Sequence, residues 1–378
     1  MKQIQNDARQ LGKDMKYGPT EVMNAFGEIL SIDSDVPKAR QMIKPVLQLA
    51  LAARMVPAEA AKLVNAMNAA FPKLSSTQSS NLLAKLQASS SVKLSEFTET
   101  MANVSGQALV RDEDPTVLLA ASGALSKSLV DGSKAGSHLE IILRELDNIR
   151  ADKGKKEAAA GMGIRQSDMF NKKDGQLHLK SLDSLLPVLE PRLQDPRLAK
   201  LIGKDALGSL QILLKNFDLY KKIRSDLSTE LSKGLENGSA ALQAAVSSQG
   251  LKGSLMELQG AVEELSIKLG ESGLLTQATE AVRSVQGLVE SLGKLDKNTL
   301  RTITNIGLIT IGFSSLLTIL GPIFRVMQLG LGPASLFATR FLSLGAVAGG
   351  GALSASMATV AGEGALGGGT AAAAGAGI

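Results

Sequence analysis

The side chains that could carry acid–base, nucleophilic or metal chemistry are scarce in this sequence. Its 378 residues include no Cys and only two His, His138 and His178. Without Cys, the chain can form no disulfide, no thiolate nucleophile and no cysteine-ligated zinc or iron–sulfur site. Two imidazoles so far apart in the sequence argue against a polyhistidine metal centre. These counts predict no metal site.

Short motifs for phosphate, nucleotide and calcium binding occur only as fragments. The Gly-Lys pairs at 12–13, 203–204 and 293–294 are followed by Asp, Asp and Leu, whereas a phosphate-binding P-loop requires Ser or Thr there. The Gly-Met-Gly stretch at 161–163 lacks the third Gly of a dinucleotide-binding turn. The Asp-Ser-Asp stretch at 33–35 lacks the Gly and distal Glu of a calcium loop. The sequence thus gives no basis for a cofactor.

The remaining polar candidates have simple structural interpretations. His138 lies in the sequence SHLE at 137–140, which is typical of a helix capping box, and we expect it to face solvent in the first turn. His178 lies between two Leu residues in a stretch that we interpret as a loop. Glu263 and Glu264 fall on the polar side of a predicted helix and are interpreted as a solvated face. No catalytic residue is predicted, and we expect a protein that is not an enzyme.

The charge of the chain is mildly basic and unevenly distributed. The formal net charge is +5 and the isoelectric point is about 9.2. The longest basic cluster is Lys-Gly-Lys-Lys at 153–156, and no aromatic side chain accompanies it. Because base recognition uses such aromatics, we interpret the cluster as a solvated linker and expect no sequence-specific nucleic-acid partner. Residues 301–378 hold only four charged side chains.

The composition favours helices over sheets. Leu and Ala supply the apolar content and aromatic residues make up 3% of the chain, which favours an aliphatic, helical core. Pro19, Pro37, Pro57 and Pro115 stand at the start of apolar-periodic stretches, where Pro is common in helices. No stretch alternates apolar and polar residues for long enough to predict a strand. The sequence predicts an all-α fold of helical hairpins or an elongated helical bundle.

Changes in composition predict five segments along the chain. A helical core block is expected over 1–150 and a linker or irregular subdomain over 151–197, where Gly and Pro are frequent. Long helices are expected over 198–300. A hydrophobic segment over 301–340 and an Ala/Gly-rich, low-complexity tail over 341–378 complete the chain.

Apolar residues recur at helical spacing in two runs between 254 and 295. The runs are separated by a Gly-containing break at 270–273 and are out of register by one residue, which predicts two helices. The sequence SLME at 254–257 matches a capping box and predicts that the first helix begins there. Each run forms a narrow seam, packed either in an intramolecular hairpin or in a coiled coil. The seam residues are Leu255, Leu258, Val262, Leu265, Leu269, Val282, Val285, Val289 and Leu292.

An uncharged run over 302–324 lies between Arg301 and Arg325. A helix needs about 20 apolar residues to span a bilayer, so this run is long enough, although its Thr, Ser, Asn and Gly make insertion only moderately favourable. A wholly buried helix or an oligomer core is the alternative. The predicted membrane-segment residues are Ile303, Ile306, Ile309, Phe313, Leu316, Leu317, Leu320 and Ile323.

Several stretches together resemble the core region of phage tail tape measure proteins. They include LALAARMVPAEAAKLVNAMNAAF at 49–71, the Ser- and Ala-rich stretch at 79–109, and DPTVLLAASGALSKSLVDGSKAGSHLEIILREL at 114–146. In the last of these, the small residues at 135–137 match the turn that precedes a Leu-rich helix in that core. The stretch at 237–271, followed by a hydrophobic segment, fits the same layout.

The resemblance implies a structural role without catalysis. Tape measure proteins occupy the lumen of the tail tube, set tail length, and leave when the tail engages a cell, and their hydrophobic segments assist genome passage at the host inner membrane. The implied partners are the tail tube protein, tail assembly chaperones and baseplate or tail tip proteins, with self-association. The implied location is the virion tail lumen, after synthesis in the host cytoplasm. The alternative, suggested by the segment 302–324, is an α-helical membrane-acting or pore-forming protein.

Overall fold

The computed structural model is described for most of the first 271 residues. The described residues are 2–90, 92–128, 132–173 and 175–271. They contain sixteen α-helices and one two-stranded antiparallel sheet. The chain divides into two compact units, Met1–Gly260 and Ala261–Ile378. In the second unit, the described residues belong to the end of the last helix.

The helices follow one another through short connections. The first eight are α1 Lys2–Met15, α2 Pro19–Ile32, α3 Val36–Ala53, α4 Pro57–Ala70, α5 Ser76–Ser90, α6 Phe97–Arg111, α7 Pro115–Ser128 and α8 Gly132–Asn148. The other eight are α9 Lys153–Gly161, α10 Gln166–Met169, α11 Leu182–Leu189, α12 Arg197–Ile202, α13 Lys204–Lys215, α14 Phe217–Glu230, α15 Ser239–Ser247 and α16 Gly250–Glu271. The strands are β1 Phe170–Lys173 and β2 Gln176–Leu179, and short 3-10 turns occupy Leu94–Glu96 and Glu190–Arg192.

Proline marks the beginning of four early helices, as the sequence predicts. Pro19, Pro57 and Pro115 are the first residues of α2, α4 and α7, and Pro37 is the second residue of α3. The fixed φ of Pro suits the first turn, and its missing N–H would have no intrahelical acceptor there. The predicted positions of these helix starts are therefore confirmed.

The unit Met1–Gly260 encloses an aliphatic core. The face that helical spacing predicts for α2, made by Val22, Phe26 and Ile29, is at most 2% exposed, and Leu63 and Met67 of α4 are fully buried. Helix α2 packs against α4, α4 against α6, α6 against α8, and α3 against both α5 and α15. The predicted all-α class is confirmed for the described residues, with one short hairpin as the exception.

Helix α8 begins earlier than the sequence suggests. It starts at Gly132, so the capping box predicted at 137–140 and the turn predicted at 135–137 both lie inside the helix, and those two predictions are wrong. The small residues serve a helix crossing instead. A Cβ on Gly136 would lie 2.5 Å from the Thr100 Cα of α6, so only Gly allows the two backbones to approach this closely.

The β-hairpin corrects the prediction that the chain has no strand. Phe170 pairs with Leu179 and Lys172 with Leu177, and the Lys180 N–H donates to the Met169 carbonyl at 2.9 Å. Phe170 is buried, and the Leu residues of β2 pack partly against the core. Strands of four residues are too short for alternation to be recognised in the sequence, and packing on the core stabilises a hairpin that would be marginal alone. His178 lies on β2 and not in a loop.

The basic stretch at 153–156 is the first turn of α9, so its interpretation as a linker is wrong. Asp152 caps this helix, accepting from the Lys155 N–H at 3.0 Å. Lys155 itself is buried. A short polar residue before the first turn is the usual N-terminal signal of a helix, and here it overrides the Gly and Lys content that suggested a break.

Helix α16 begins at Gly250, so the helix start predicted at 254 is wrong. Of the predicted seam, Leu258 and Val262 are buried, each 6% exposed. The side chains of Leu255, Leu265 and Leu269, and the whole of the second run with Val282, Val285, Val289 and Leu292, lie outside the described part of the chain. The seam and the five segment boundaries remain predictions.

The described helices include none that is long and apolar enough to cross a bilayer. The predicted membrane segment lies outside the described residues, which end at Glu271. Its residues are Ile303, Ile306, Ile309, Phe313, Leu316, Leu317, Leu320 and Ile323.

Candidate functional site

A group of charged and polar side chains, of which Arg111 and Glu113 are buried, joins several helices within the first unit. Its centre is Arg111, the last residue of α6, whose side chain is 6% exposed. Glu113 follows in the loop before α7 and is 3% exposed. Asp147 comes from α8 and Ser181 from the start of α11. We name these four residues the inner junction.

Ion pairs and hydrogen bonds connect the four residues of the inner junction. Arg111 Nη2 lies 3.3 Å from Glu113 Oε2, and Arg111 Nη1 lies 3.2 Å from Asp147 Oδ1. Arg111 Nη2 also donates to the Lys180 carbonyl at 3.1 Å. The Ser181 hydroxyl donates to Glu113 Oε1, so both oxygens of this buried carboxylate are bonded. Such additional bonds offset the desolvation of a buried ion pair.

A second, more exposed layer ties α14 to the same place. Arg224 Nη2 lies 3.3 Å from Asp114 Oδ2 and 3.9 Å from Asp183 Oδ2. The Tyr220 hydroxyl donates to Asp183 Oδ1 at 2.7 Å. Asp114 also accepts from the Thr116 N–H at 2.8 Å, which caps the start of α7. The two layers connect α6, α7, α8, α11 and α14.

The two buried tyrosines have raised pKa values. Burial raises the pKa of Tyr220 far above its ordinary value, and the hydrogen bond to Asp183 and the charge of that carboxylate raise it further. Burial likewise raises the pKa of Tyr17, with a smaller effect of the Glu21 charge. Groups with such pKa values exchange no proton near neutral pH. The ion pairs and hydrogen bonds of the two layers join helices of the first unit.

The two tyrosines give a direct spectroscopic test, because the chain has only Tyr17 and Tyr220 and no Trp. In the native protein, absorbance at 295 nm should rise little between pH 9 and 11, whereas both phenols should titrate near their ordinary pKa of 10.0 in denaturant. The folded state binds both phenolic protons more tightly. Their contribution to stability is therefore complete below pH 10 and is lost as the pH rises above it.

Single variants assign any rise in absorbance at 295 nm to one tyrosine. Tyr17→Phe leaves only Tyr220 to titrate, and Tyr220→Phe leaves only Tyr17. A native step near pH 10 that equals the denatured step of the same variant would show that the remaining phenol is exposed, contrary to the structure.

Comparison with known proteins gives the family of the chain. The model of the phage-related minor tail proteins matches residues 5–200, more than half of the sequence. The chain belongs to this family. The match contains the whole inner junction, and it confirms the resemblance at the level of a phage tail protein. No curated protein and no solved structure matches the chain.

The two histidines of this minor tail protein do not meet. His138 is half-buried on α8, with its Nδ1 atom 2.6 Å from the Ser209 hydroxyl of α13. The expectation that it faces solvent in a first turn is therefore wrong, because α8 begins six residues earlier. Ser209 is only 4% exposed, so the pair joins two packed helices. His178 is exposed on β2.

The minor tail protein has a second buried carboxylate, at the end of α14. Glu230 is fully buried, accepting from the Ser239 N–H at 2.5 Å and from Lys233 Nζ at 3.0 Å. Asn81 of α5 donates to the Gly234 carbonyl at 3.2 Å. These bonds satisfy the turn between α14 and α15 and fix it on α5.

Within the described residues of the minor tail protein, no group of three or more His, Cys, Asp or Glu side chains could hold a metal ion. The inner junction is not predicted from the sequence. Its members are spread from 111 to 181 and come together only through packing of α6, α8 and α11. The one signal present in the sequence is the charged stretch at 111–114 between two apolar helices, which in isolation resembles an ordinary solvated loop.

Proposed function

We propose that this minor tail protein is a tape measure protein, or the core part of one, that occupies the tail tube lumen and sets tail length without catalysing a reaction. The observation that carries the proposal is the family match over residues 5–200, which runs from within α1 into α12. The ordered resemblance of 49–71, 79–109 and 114–146 to the tape measure core adds to it. The proposed partners are the tail tube protein, the tail assembly chaperones and the baseplate or tail tip proteins.

The apolar seam supports a role as a ruler. A helical chain grows by about 1.5 Å per residue, so the length of a helical stretch is set directly by the number of its residues. The seam between 254 and 295 repeats at intervals of three and four residues. A repeat of this kind can be extended by whole heptads without moving its apolar face. Adding whole heptads therefore changes the length of the helix and leaves the packing of its apolar face unchanged.

Duplicating residues 275–295 in the phage gene should lengthen the tail by about 30 Å, because three added heptads extend a helix by that amount. Electron microscopy of purified tails measures the change, and mass spectrometry of the same tails must detect the chain. A control variant in which the polar residues of 275–295 are exchanged for other polar residues should leave tail length unchanged. Tails of ordinary length that contain the duplicated chain would contradict a ruler function.

We further propose that the chain leaves the tube on contact with a cell and that 302–324 then acts at the host inner membrane. The uncharged sequence of this run supports the step. Vesicle leakage caused by the purified full chain alone would favour the second candidate, a membrane-acting or pore-forming protein, which rests on the same run. Leakage that requires the assembled tail would favour release from the tube.

A further inference from the structure

The positive charge of the chain is concentrated in one stretch. Residues 1–149 hold sixteen Lys and Arg and sixteen Asp and Glu, whereas residues 150–224 hold sixteen basic and nine acidic side chains. The excess of this short stretch is larger than the net charge of +5 of the whole chain. It coincides with α9 to α13 and most of α14.

Several of these basic residues belong to the region where α8, α9 and α12 meet at a partly buried ion pair. Lys155 Nζ of α9 donates to Glu145 Oε2 of α8 at 2.6 Å and to the Glu145 carbonyl at 3.2 Å. The same carboxylate lies 3.3 Å from the Cβ position of Gly203, between α12 and α13. On the other side, the Lys200 side chain of α12 lies 3.3 Å from the Cβ position of Gly154.

Five exposed cationic side chains lie on or next to the helices that meet at this pair and have no ion-pair partner among the described residues. They are Arg150, Lys153, Lys156, Lys200 and Lys204, which we name the basic face. The nearby acids are largely committed, since Glu145 is bonded to Lys155 and Asp152 caps α9. The exposed acids Glu157 and Asp205 leave the basic face with a net positive charge.

We propose that the basic face binds the phosphate backbone of duplex DNA, without regard to sequence. Protein interfaces are depleted in Lys and carry aromatic or Arg anchors, and the basic face has four Lys and one Arg. Single-strand binders stack bases on aromatic side chains, which this face lacks. Membrane-surface binding combines basic with inserting apolar residues, and the large exposed apolar residues of the described chain lie on other elements. Phosphates on a regular duplex need only positioned cations.

The proposal does not depend on a tape measure function. It assigns a contact with DNA to a tail protein whose family match includes most of the basic face, from Arg150 to Lys200. If all five cations contact phosphates, log K should fall with log[salt] with a slope of about −4.5, which is about a 500-fold loss of affinity between 50 and 200 mM salt.

The test measures binding of the full chain to a labelled 30-base-pair duplex of arbitrary sequence by fluorescence anisotropy. The triple variant Lys153→Gln, Lys156→Gln and Lys200→Gln should bind at least about tenfold more weakly at 50 mM salt, with its salt slope smaller by about 2.7. The control changes Lys38, Lys62 and Lys73 to Gln. These three lysines are exposed but paired with acids elsewhere on the protein, and this variant should keep the slope.

The control separates the basic face from net charge, because both triple variants lose the same charge. Equal loss of affinity in both would overturn the proposal, as would no binding of the duplex by the unchanged protein at 50 mM salt. Tighter binding to anionic vesicles or to a poly-glutamate peptide than to the duplex would also overturn it, assigning the face to a membrane or an acidic protein. Thermal melts of all variants verify that each is folded.

Discussion

Replacing Glu113 with Ala should lower the free energy of unfolding by about 3 to 5 kcal/mol, which is the usual cost of removing one partner from a buried ion pair. The change leaves the Arg111 guanidinium, 6% exposed, with only the partly exposed Asp147 as a counterion. It also removes the acceptor of the Ser181 hydroxyl. Urea unfolding followed by circular dichroism measures the effect through the shift of the midpoint.

The control is an exposed ion pair whose acidic residue, Asp112, directly precedes Glu113. Lys73 Nζ lies 2.7 Å from Asp112 Oδ1, and the two side chains are 81% and 77% exposed. Lys73→Ala should therefore cost at most about 1 kcal/mol. If Glu113→Ala costs no more than this control, the inner junction does not stabilise the fold.

The double variant Arg111→Met/Glu113→Ala separates the loss of the ion pair from the cost of one unpaired buried charge. Substitutions at residues that share a network have non-additive effects on stability. Removing both charges leaves no unpaired ion between the two positions. The double variant should be destabilised by less than the sum of the two single variants. Additive losses would mean that each side chain acts through other contacts, such as the bond from Arg111 to Asp147.

The sequence predicts the structure correctly where a local rule decides it. Pro19, Pro57 and Pro115 predict helix starts because the constraint lies in the residue itself. The buried face of α2 follows from helical spacing alone. In both cases the relevant neighbours are within one or two turns, so no knowledge of the tertiary fold is needed.

The sequence does not predict the structure where contacts between distant elements decide it. The sequence SHLE at 137–140 satisfies a capping rule, yet α8 continues through it. Packing against α6 favours helix there, which outweighs the weak local signal. The β-hairpin is likewise not predicted, because it is stabilised by burial of Phe170 in the core, which lies outside the local sequence. The local sequence predicts that Lys155 is exposed to solvent, because its partner Glu145 lies on another helix, α8.

The crossing of α6 and α8 gives the second large effect. Gly136→Ala should destabilise the protein by about 1 to 3 kcal/mol, the usual cost of overpacking. The added Cβ would lie 2.5 Å from Thr100 Cα and 2.9 Å from the Thr100 carbonyl oxygen. These are backbone atoms, so the clash cannot be relieved by turning a side chain and the two helices must separate.

The corresponding Gly→Ala change on α6, at Gly106, should have the opposite effect on the free energy of unfolding. Gly106 also lies inside α6, but no atom outside its own helix lies within 4 Å of its Cβ position. Gly106→Ala should stabilise the protein by about 0.5 to 1 kcal/mol, because Ala loses less conformational freedom than Gly when a helix forms. Two Gly→Ala changes of the same chemistry thus differ only in their surroundings. Equal shifts of the urea midpoint in both variants would mean that α6 and α8 do not approach as closely as the structure has them.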